Sequence, residues 1–401
     1  MERTRLESLT KAELLEMARE RDIPGRSRMN KAALIEALAV ERVPGPVAPI
    51  EAAERRLPLP GIPREERVEA SARRQALYDR LAAMVDTDRR CPWVSYEGHV
   101  CGLPVVRDSD ACGLHGEGDI YDTAIPLMGR LGFDTWPTLL RQSFLATYDV
   151  DPIGLDPVFA EMAWHVLNGL YFDYFRVEVE GIENVPMDGP AMLVANHGGA
   201  ALPYDGAMLT LAVFNEAPKP RRVRVTGTEI FNMLPWVSHV YRKVGAAYAA
   251  RADADYVLSR GHLLGVFPEG EQGFMKTIRQ AYQLQRFGRG GFIEVAERNA
   301  APVVPVAIIG SEEVHPAVTV SKRLARLVRL FFPQQRVDEI AVFLNPLPLP
   351  VRWHLRFLPS HEPEAPGVTP DPLRLLERTE DIRRVIQDNL EDMLAKRRSA
   401  F

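Results

Sequence analysis

Chemistry in this sequence centres on VANHGGAALPYDGAML, where His197 closes an apolar run and Asp205 follows after seven intervening residues, in a Gly/Pro loop that opens a helix. A histidine near a carboxylate is the pairing that general-base catalysis needs. The carboxylate fixes the imidazole tautomer and stabilises the imidazolium, while the other ring nitrogen takes a hydroxyl proton. Alone, such a pair at a strand end is more often structural than catalytic. Two further blocks change its weight: FPEG at 267–270 after the apolar LLGV, and VPVAIIG at 304–310 carrying Pro305.

A second cluster lies nearer the N-terminus. Cys91, Cys101, Cys112 and His115 follow the pattern C-x9-C-x10-C-x2-H, and three thiols with one imidazole make a closed tetrahedral set suited to structural zinc. His99 competes for the imidazole position. The alternative is three buried cysteines that bind nothing; the final C-x2-H and the polarity of the segment favour zinc. The spacing resembles the three-Cys-one-His motif of plant WRC domains and of small bacterial zinc modules.

Position along the chain sets what these residues can reach. Residues 5–40 read as two short helices, with Thr10 and Asn30 as N-caps, and the proline-rich 43–63 reads as a linker. A helix over 65–85 leads into the cysteine segment, and 120–175 reads as helical. Strands and helices then alternate through FRVEVEGIENVP, AMLVANH, VRVTGTEIF, LLGVFPEG, PVVPVAIIG and AVFLNPLPLP, ending in a long amphipathic helix over 371–396. Short apolar runs that end in functional loops predict an α/β fold with a mostly parallel central sheet covered by helices. The expected organisation is a small all-α module (1–42), the linker (43–63), a helix with the zinc-like module (64–118) and a large domain (119–401, core 175–358).

With 401 residues the chain exceeds what one core usually serves. A composition of 46% hydrophobic and 26% charged residues excludes disorder throughout, and a net charge of -5 argues against a protein basic overall for nucleic acid. Three clustered cysteines suit a reducing, cytoplasmic compartment better than a disulfide scaffold. The charged N-terminus is not a secretory signal, and no apolar run is long enough to span a bilayer. Membrane contact is therefore expected to be peripheral, at the inner face.

Two resemblances add to this reading. LTKAELLEMARERDIPGRSRMNKAALIEAL resembles the N-terminal helical module of transcription terminator Rho, which adjoins an RNA-binding region; nine Lys/Arg against eight Asp/Glu in 1–42 favour a docking module over nucleic-acid contact here. The ordered blocks at 196–205, 267–270 and 304–310, with GTEIFNMLPWVSHVYRKVGAAYA between the first two, resemble the glycerolipid acyltransferases that include bacterial 1-acylglycerol-3-phosphate acyltransferase. QLQRFGRGGFIEVAERNAAPVVPVAIIGSEEVHP and PLPLPVRW look more like the branch of phytyl-ester synthases and diacylglycerol acyltransferases. The resemblance implies transfer of a fatty acyl group from acyl-CoA or acyl carrier protein to a lipid hydroxyl, without a catalytic cofactor. It makes His197 the base and Asp205 its partner. Asn196, Gly198, Gly199, Phe267, Pro268, Glu269 and Gly270 would form the acceptor and oxyanion environment, with backbone N–H groups near Gly198 and Gly199 stabilising the oxyanion.

Two departures qualify the substrate. The family usually separates the His from the Asp by four residues, so the loop here must bulge. Its third block usually continues FPEGTRS, suited to a phosphate, but this chain reads FPEGEQG with Glu271. An uncharged acceptor such as diacylglycerol fits better, with Arg242, Lys243 and Lys276 as the cations left for a phosphate. Between Val314 and Val337 there is no acidic residue, and basic and apolar residues interleave from Lys322 to Phe332; such a helix can lie in an anionic headgroup layer. The rival to an enzyme is a nucleic-acid-associated protein carrying a degenerate acyltransferase domain, and a third reading is a thioesterase.

Overall fold

Thr10 and Asn30 each precede a stretch of helix formers, and each caps the helix it precedes. Lys11–Glu20 forms α1 and Lys31–Ala39 forms α2. Thr10 Oγ1 accepts the Glu13 N–H at 3.3 Å while Glu13 Oε2 accepts the Thr10 N–H at 2.7 Å, a reciprocal capping box. Asn30 Oδ1 accepts the Ala33 N–H at 2.9 Å. Leu14, Ala18, Leu34 and Ile35 are buried together. These helices belong to one compact unit, and everything described from Ile62 onward belongs to a second. This computed structural model describes residues 9–20, 29–39, 62–94, 101, 104–116, 150–198, 203–227, 240–288, 290–331, 339–364 and 371–401. The expected linker over 43–61, helices within 117–149, His99 and Gly199 lie outside them.

In the second unit, Arg64–Ala83 forms α3, which sinks Leu77 and Leu81 into the core. Val85–Arg90 (β1) and Pro104–Val106 (β2) pair antiparallel. Pro157–Asn168 (α4) starts with Pro157 in its first turn and Asp156 accepting the Phe159 N–H at 3.0 Å. Then come β3 (Glu178–Glu180), β4 (Ala191–Ala195), α5 (Tyr204–Glu216), β5 (Val223–Gly227), β6 (Ala247–Tyr248), α6 (Arg251–Ser259) and β7 (Leu263–Val266). They are followed by α7 (Gly270–Phe274), α8 (Gly291–Arg298), β8 (Val303–Ile309), β9 (Ala317–Ser321), α9 (Lys322–Phe331), β10 (Ile340–Phe343), β11 (His354–Phe357) and α10 (Pro372–Lys396).

Seven strands make the central sheet in the order β3-β11-β8-β4-β7-β5-β6. The run from β8 to β6 is parallel, while β11 pairs antiparallel with β8 and parallel with β3. The central strands read as unbroken apolar runs because both faces are covered. Along β4, Ala191, Leu193 and Ala195 join α3, α4 and α5 in one core, while Met192 and Val194 join α6, α8 and α10 in the other. Each large aliphatic side chain so buried contributes roughly 1.5–3 kcal/mol relative to exposure.

Two sequence expectations are corrected. AVFLNPLPLP supplies no strand to this sheet: β10 pairs with β9 instead, and the prolines that follow cannot donate to a ladder. The internal position belongs to β11, whose buried Leu355 and Phe357 alternate with His354 and Arg356. That alternation hid it, since Arg356 and His354 pair with Glu180 on the other face. The stretch expected to be one amphipathic segment divides into β9 and α9.

Candidate active site

Strand β4 delivers the histidine, and Asn196 ends the strand. Its carboxamide donates to the Ile308 carbonyl at 2.9 Å and accepts the Ile308 N–H at 2.7 Å. A side chain thereby replaces the next backbone rung of the β4–β8 ladder, and the main chain is free to leave the sheet. Asn196, expected to contact substrate, is wholly buried in that pairing and does not line the cavity described below.

His197 Nδ1 lies 2.5 Å from Asp205 Oδ2. The long loop is no obstacle, because Asp205 stands in the first turn of α5, fully buried and aimed back at the strand end. Its oxygens also accept the Gly198 N–H at 3.0 Å and the Gly206 N–H at 2.8 Å, so the carboxylate is held from three sides. The Gly198 N–H is thereby occupied and is not the oxyanion donor expected of it. Phe267 and Phe274 flank the imidazole at centroid distances of 4.8 and 5.1 Å. With Nδ1 taken, Nε2 is the nitrogen left for a substrate proton.

Behind the histidine is a second charged cluster. Glu269 Oε1 accepts the His197 N–H at 2.8 Å and Oε2 accepts the Gln285 N–H at 2.7 Å. Lys276 bridges Glu269 at 3.2 Å and Glu312 at 2.6 Å, and Glu312 Oε2 accepts the Tyr282 N–H at 2.8 Å. All three charged side chains are almost fully buried. Burial pushes the Glu312 carboxyl up to about 7, against the pull of the Lys276 ammonium. Glu269 therefore holds the histidine's backbone, Lys276 holds Glu269, and neither lines the cavity beside the histidine, where substrate contact was expected of them. Nor does Arg242, which donates to the Ile153 carbonyl at 2.9 Å and lies over the Tyr248 ring. Lys243 pairs with Asp156 at 3.0 Å.

A cavity of about 270 Å³ opens beside the pair. His197, Asp205, Phe267 and Gly270 line it, and it runs past Leu167, Trp164 and Phe214 along the edge of β5. Arg222 and Arg224 also border it but face Glu161 and Asp151 at 3.5 and 2.6 Å, so they bring little net charge. Pro268 is half-buried in the same turn. Sequence reasoning missed Phe274, Glu312 and Gly273, which carry no motif of their own. A Cβ on Gly273 would lie 2.5 Å from Glu269 Cβ and 3.0 Å from His197 Cβ; its glycine lets α7 press against the site. Away from the cavity, Cys91, Cys101, Cys112 and His115 converge, their ligand atoms within 4.8 Å of one another.

Comparison with known proteins places this geometry. Residues 176–309 match the family model Acyltransferase, and residues 5–40 match that of the Rho termination factor N-terminal domain. An uncharacterized protein of Mycobacterium tuberculosis is 42% identical over 269 residues, covering 65% of this chain and 74% of that protein. The human "DGAT1/2-independent enzyme synthesizing storage lipids" is 30% identical over 129 residues, 32% of this chain and 38% of that one. Among solved structures, the 1-acyl-sn-glycerophosphate (LPA) acyltransferase PlsC from Thermotoga maritima aligns at 19% identity over 66% of this chain and 90% of that one, with a TM-score of 0.39. The family model covers the strands that carry His197, Glu269 and Ile308, and the chain belongs to the acyltransferase family.

Proposed function

We propose that this chain transfers a fatty acyl group from a thioester donor, acyl-CoA or acyl carrier protein, to an uncharged lipid hydroxyl, with His197 as general base. One observation carries the reading: an imidazole bonded at 2.5 Å to a fully buried carboxylate borders an apolar cavity of about 270 Å³. The acceptor O–H meets His197 Nε2, which takes the proton as the oxygen attacks the thioester carbonyl carbon. The C–O bond forms and the C–S bond breaks. The imidazolium then returns the proton to the departing thiolate, and ester and thiol leave. Asp205 stabilises the transient cation, and the apolar cavity accommodates the acyl chain.

The uncharged acceptor is supported by what surrounds the site. Lys276, Arg242 and Lys243 each have partners within the protein, Gln272 and Gly273 stand where the resemblance puts the Arg and Ser suited to a phosphate, and the neighbouring Glu271 borders the cavity. The human relative's name, an enzyme synthesizing storage lipids, agrees with an uncharged product. For access to lipid we propose α9 lying on the inner face of the membrane. Leu324, Leu327 and Leu330 are 38%, 52% and 76% exposed beside the exposed Lys322, Arg323 and Arg326. No described helix is long and apolar enough to cross a membrane.

The test is product analysis of purified protein with labelled acyl-CoA and a panel of diacylglycerol, a long-chain alcohol and lysophosphatidate. Label should enter esters of the uncharged acceptors. Transfer to lysophosphatidate alone would refute the acceptor class, and release of free fatty acid regardless of acceptor would make the protein a thioesterase.

A further inference from the structure

Cys91, Cys101, Cys112 and His115 take no part in the transfer reaction and lie outside its cavity. Cys91 follows β1, Cys101 precedes β2, Cys112 comes six residues after β2, and His115 stands in the turn that Cys112 opens, where the Cys112 carbonyl accepts its N–H at 3.1 Å. None of the three cysteines is in a disulfide. Cys101 Sγ lies 3.7 Å from Cys112 Sγ, while His115 Nδ1 lies 3.6 Å from Cys91 Sγ and 3.3 Å from Cys112 Sγ. A tetrahedral zinc with bonds of about 2.3 Å to sulfur and about 2.0–2.1 Å to nitrogen sets sulfurs about 3.8 Å apart and sulfur about 3.6 Å from nitrogen. These three separations agree to within about 0.3 Å, and all four ligand atoms lie within 4.8 Å of one another.

We infer that these four residues bind one zinc ion that holds the β1–β2 hairpin together. Thiols are weak hydrogen-bond partners and gain little by converging on an imidazole. The hairpin also has little core of its own: Val85 and Val105 are the buried aliphatic residues among those described in 85–116. A metal cross-link supplies what such a segment lacks. Four protein ligands leave no open position, so the ion is structural. Trp93 stacks on the His115 ring at 4.0 Å with 8° between planes, fixing the ring with Nδ1 turned inward. The hairpin bears on the catalytic unit through α3, whose end is gripped by Arg107: its N–H bonds the Met84 carbonyl at 2.9 Å and its Nε the Ala83 carbonyl at 2.7 Å.

Full-length protein purified without chelator should carry one zinc per chain by native mass spectrometry and elemental analysis. A mercurial titration of the three thiols should release it, a measurement that needs no variant. Cobalt substitution should give thiolate charge-transfer absorption and the intense visible bands of a tetrahedral centre. Cys101→Ser and His115→Ala should lose most of the metal, whereas His99→Ala should keep it. Fully reduced wild-type protein that takes up no zinc on reconstitution would overturn the inference, as would a wild-type mass two hydrogens lighter, from a Cys101–Cys112 disulfide. Retention of zinc by His115→Ala with loss in His99→Ala would overturn the ligand set.

Discussion

The His197–Asp205 pair and the Lys276–Glu269–Glu312 cluster are both assembled from buried acid and base groups, and they meet at the His197 backbone, whose N–H Glu269 accepts. They differ in what is left over. In the cluster the carboxylates accept backbone N–H groups of His197, Gln285 and Tyr282 while the ammonium bridges them. In the pair, Asp205 is saturated but His197 keeps one nitrogen on an apolar cavity. A fully satisfied polar network fixes a position, whereas an uncommitted nitrogen beside an apolar cavity can move a proton. Buried acid–base contacts thus serve placement in the cluster and, in the function proposed for this chain, reaction in the pair.

Breaking the reacting side should give the largest effect. Asp205→Asn preserves volume but removes the acceptor that fixes the imidazole tautomer; kcat should fall on the order of 10³–10⁴-fold, with an unchanged near-ultraviolet circular dichroism spectrum. A loss below about tenfold would make Asp205 structural. Breaking the placing side should read out differently. Lys276→Met leaves two buried carboxylates facing each other and should cost about 3–5 kcal/mol in urea unfolding, while kcat of the folded fraction falls far less than in Asp205→Asn. Equal losses of rate would erase the distinction.

A smaller effect sharpens the cluster's electrostatics. The Glu312 carboxyl titrates near 7 in the folded chain against an ordinary value of 4.5, so between those values the folded state holds the extra proton. That contribution to stability is complete below pH 4.5 and is lost as the pH rises to about 7, at up to about 1.4 kcal/mol per pH unit. The stability difference between wild type and Glu312→Gln should therefore shift against wild type across that interval; no pH dependence in the difference would contradict a raised value. The smallest expected effect concerns the cavity. Ala163→Phe narrows a lining position and should shift preference toward shorter acyl donors, by about 1–3 kcal/mol for each methylene no longer accommodated, seen as a change in relative kcat/KM.

The contact of His197 with Asp205 was legible in the sequence because a strand-end histidine and an acid in the first turn of a helix are local features, readable without knowing the fold. The sheet's apolar strands were legible for the same reason. The cluster was not. Lys276 looks like a phosphate ligand when only its charge is visible, and its partner Glu312 stands 36 residues on, brought near by the return of β8. Asn196 belongs to the right motif but serves the β4–β8 ladder. Strand β11 escaped because its outward residues, His354 and Arg356, are polar side chains whose partners, Glu180 and Asp392, lie far along the chain.

The central claim is that His197 Nε2 takes the acceptor's proton, and the most direct measurement is the rate of label transfer from acyl-CoA to a lipid alcohol by His197→Ala beside wild type. The account predicts a folded variant with transfer reduced at least about 10²-fold and no compensating release of free fatty acid. Transfer at the wild-type rate would contradict it.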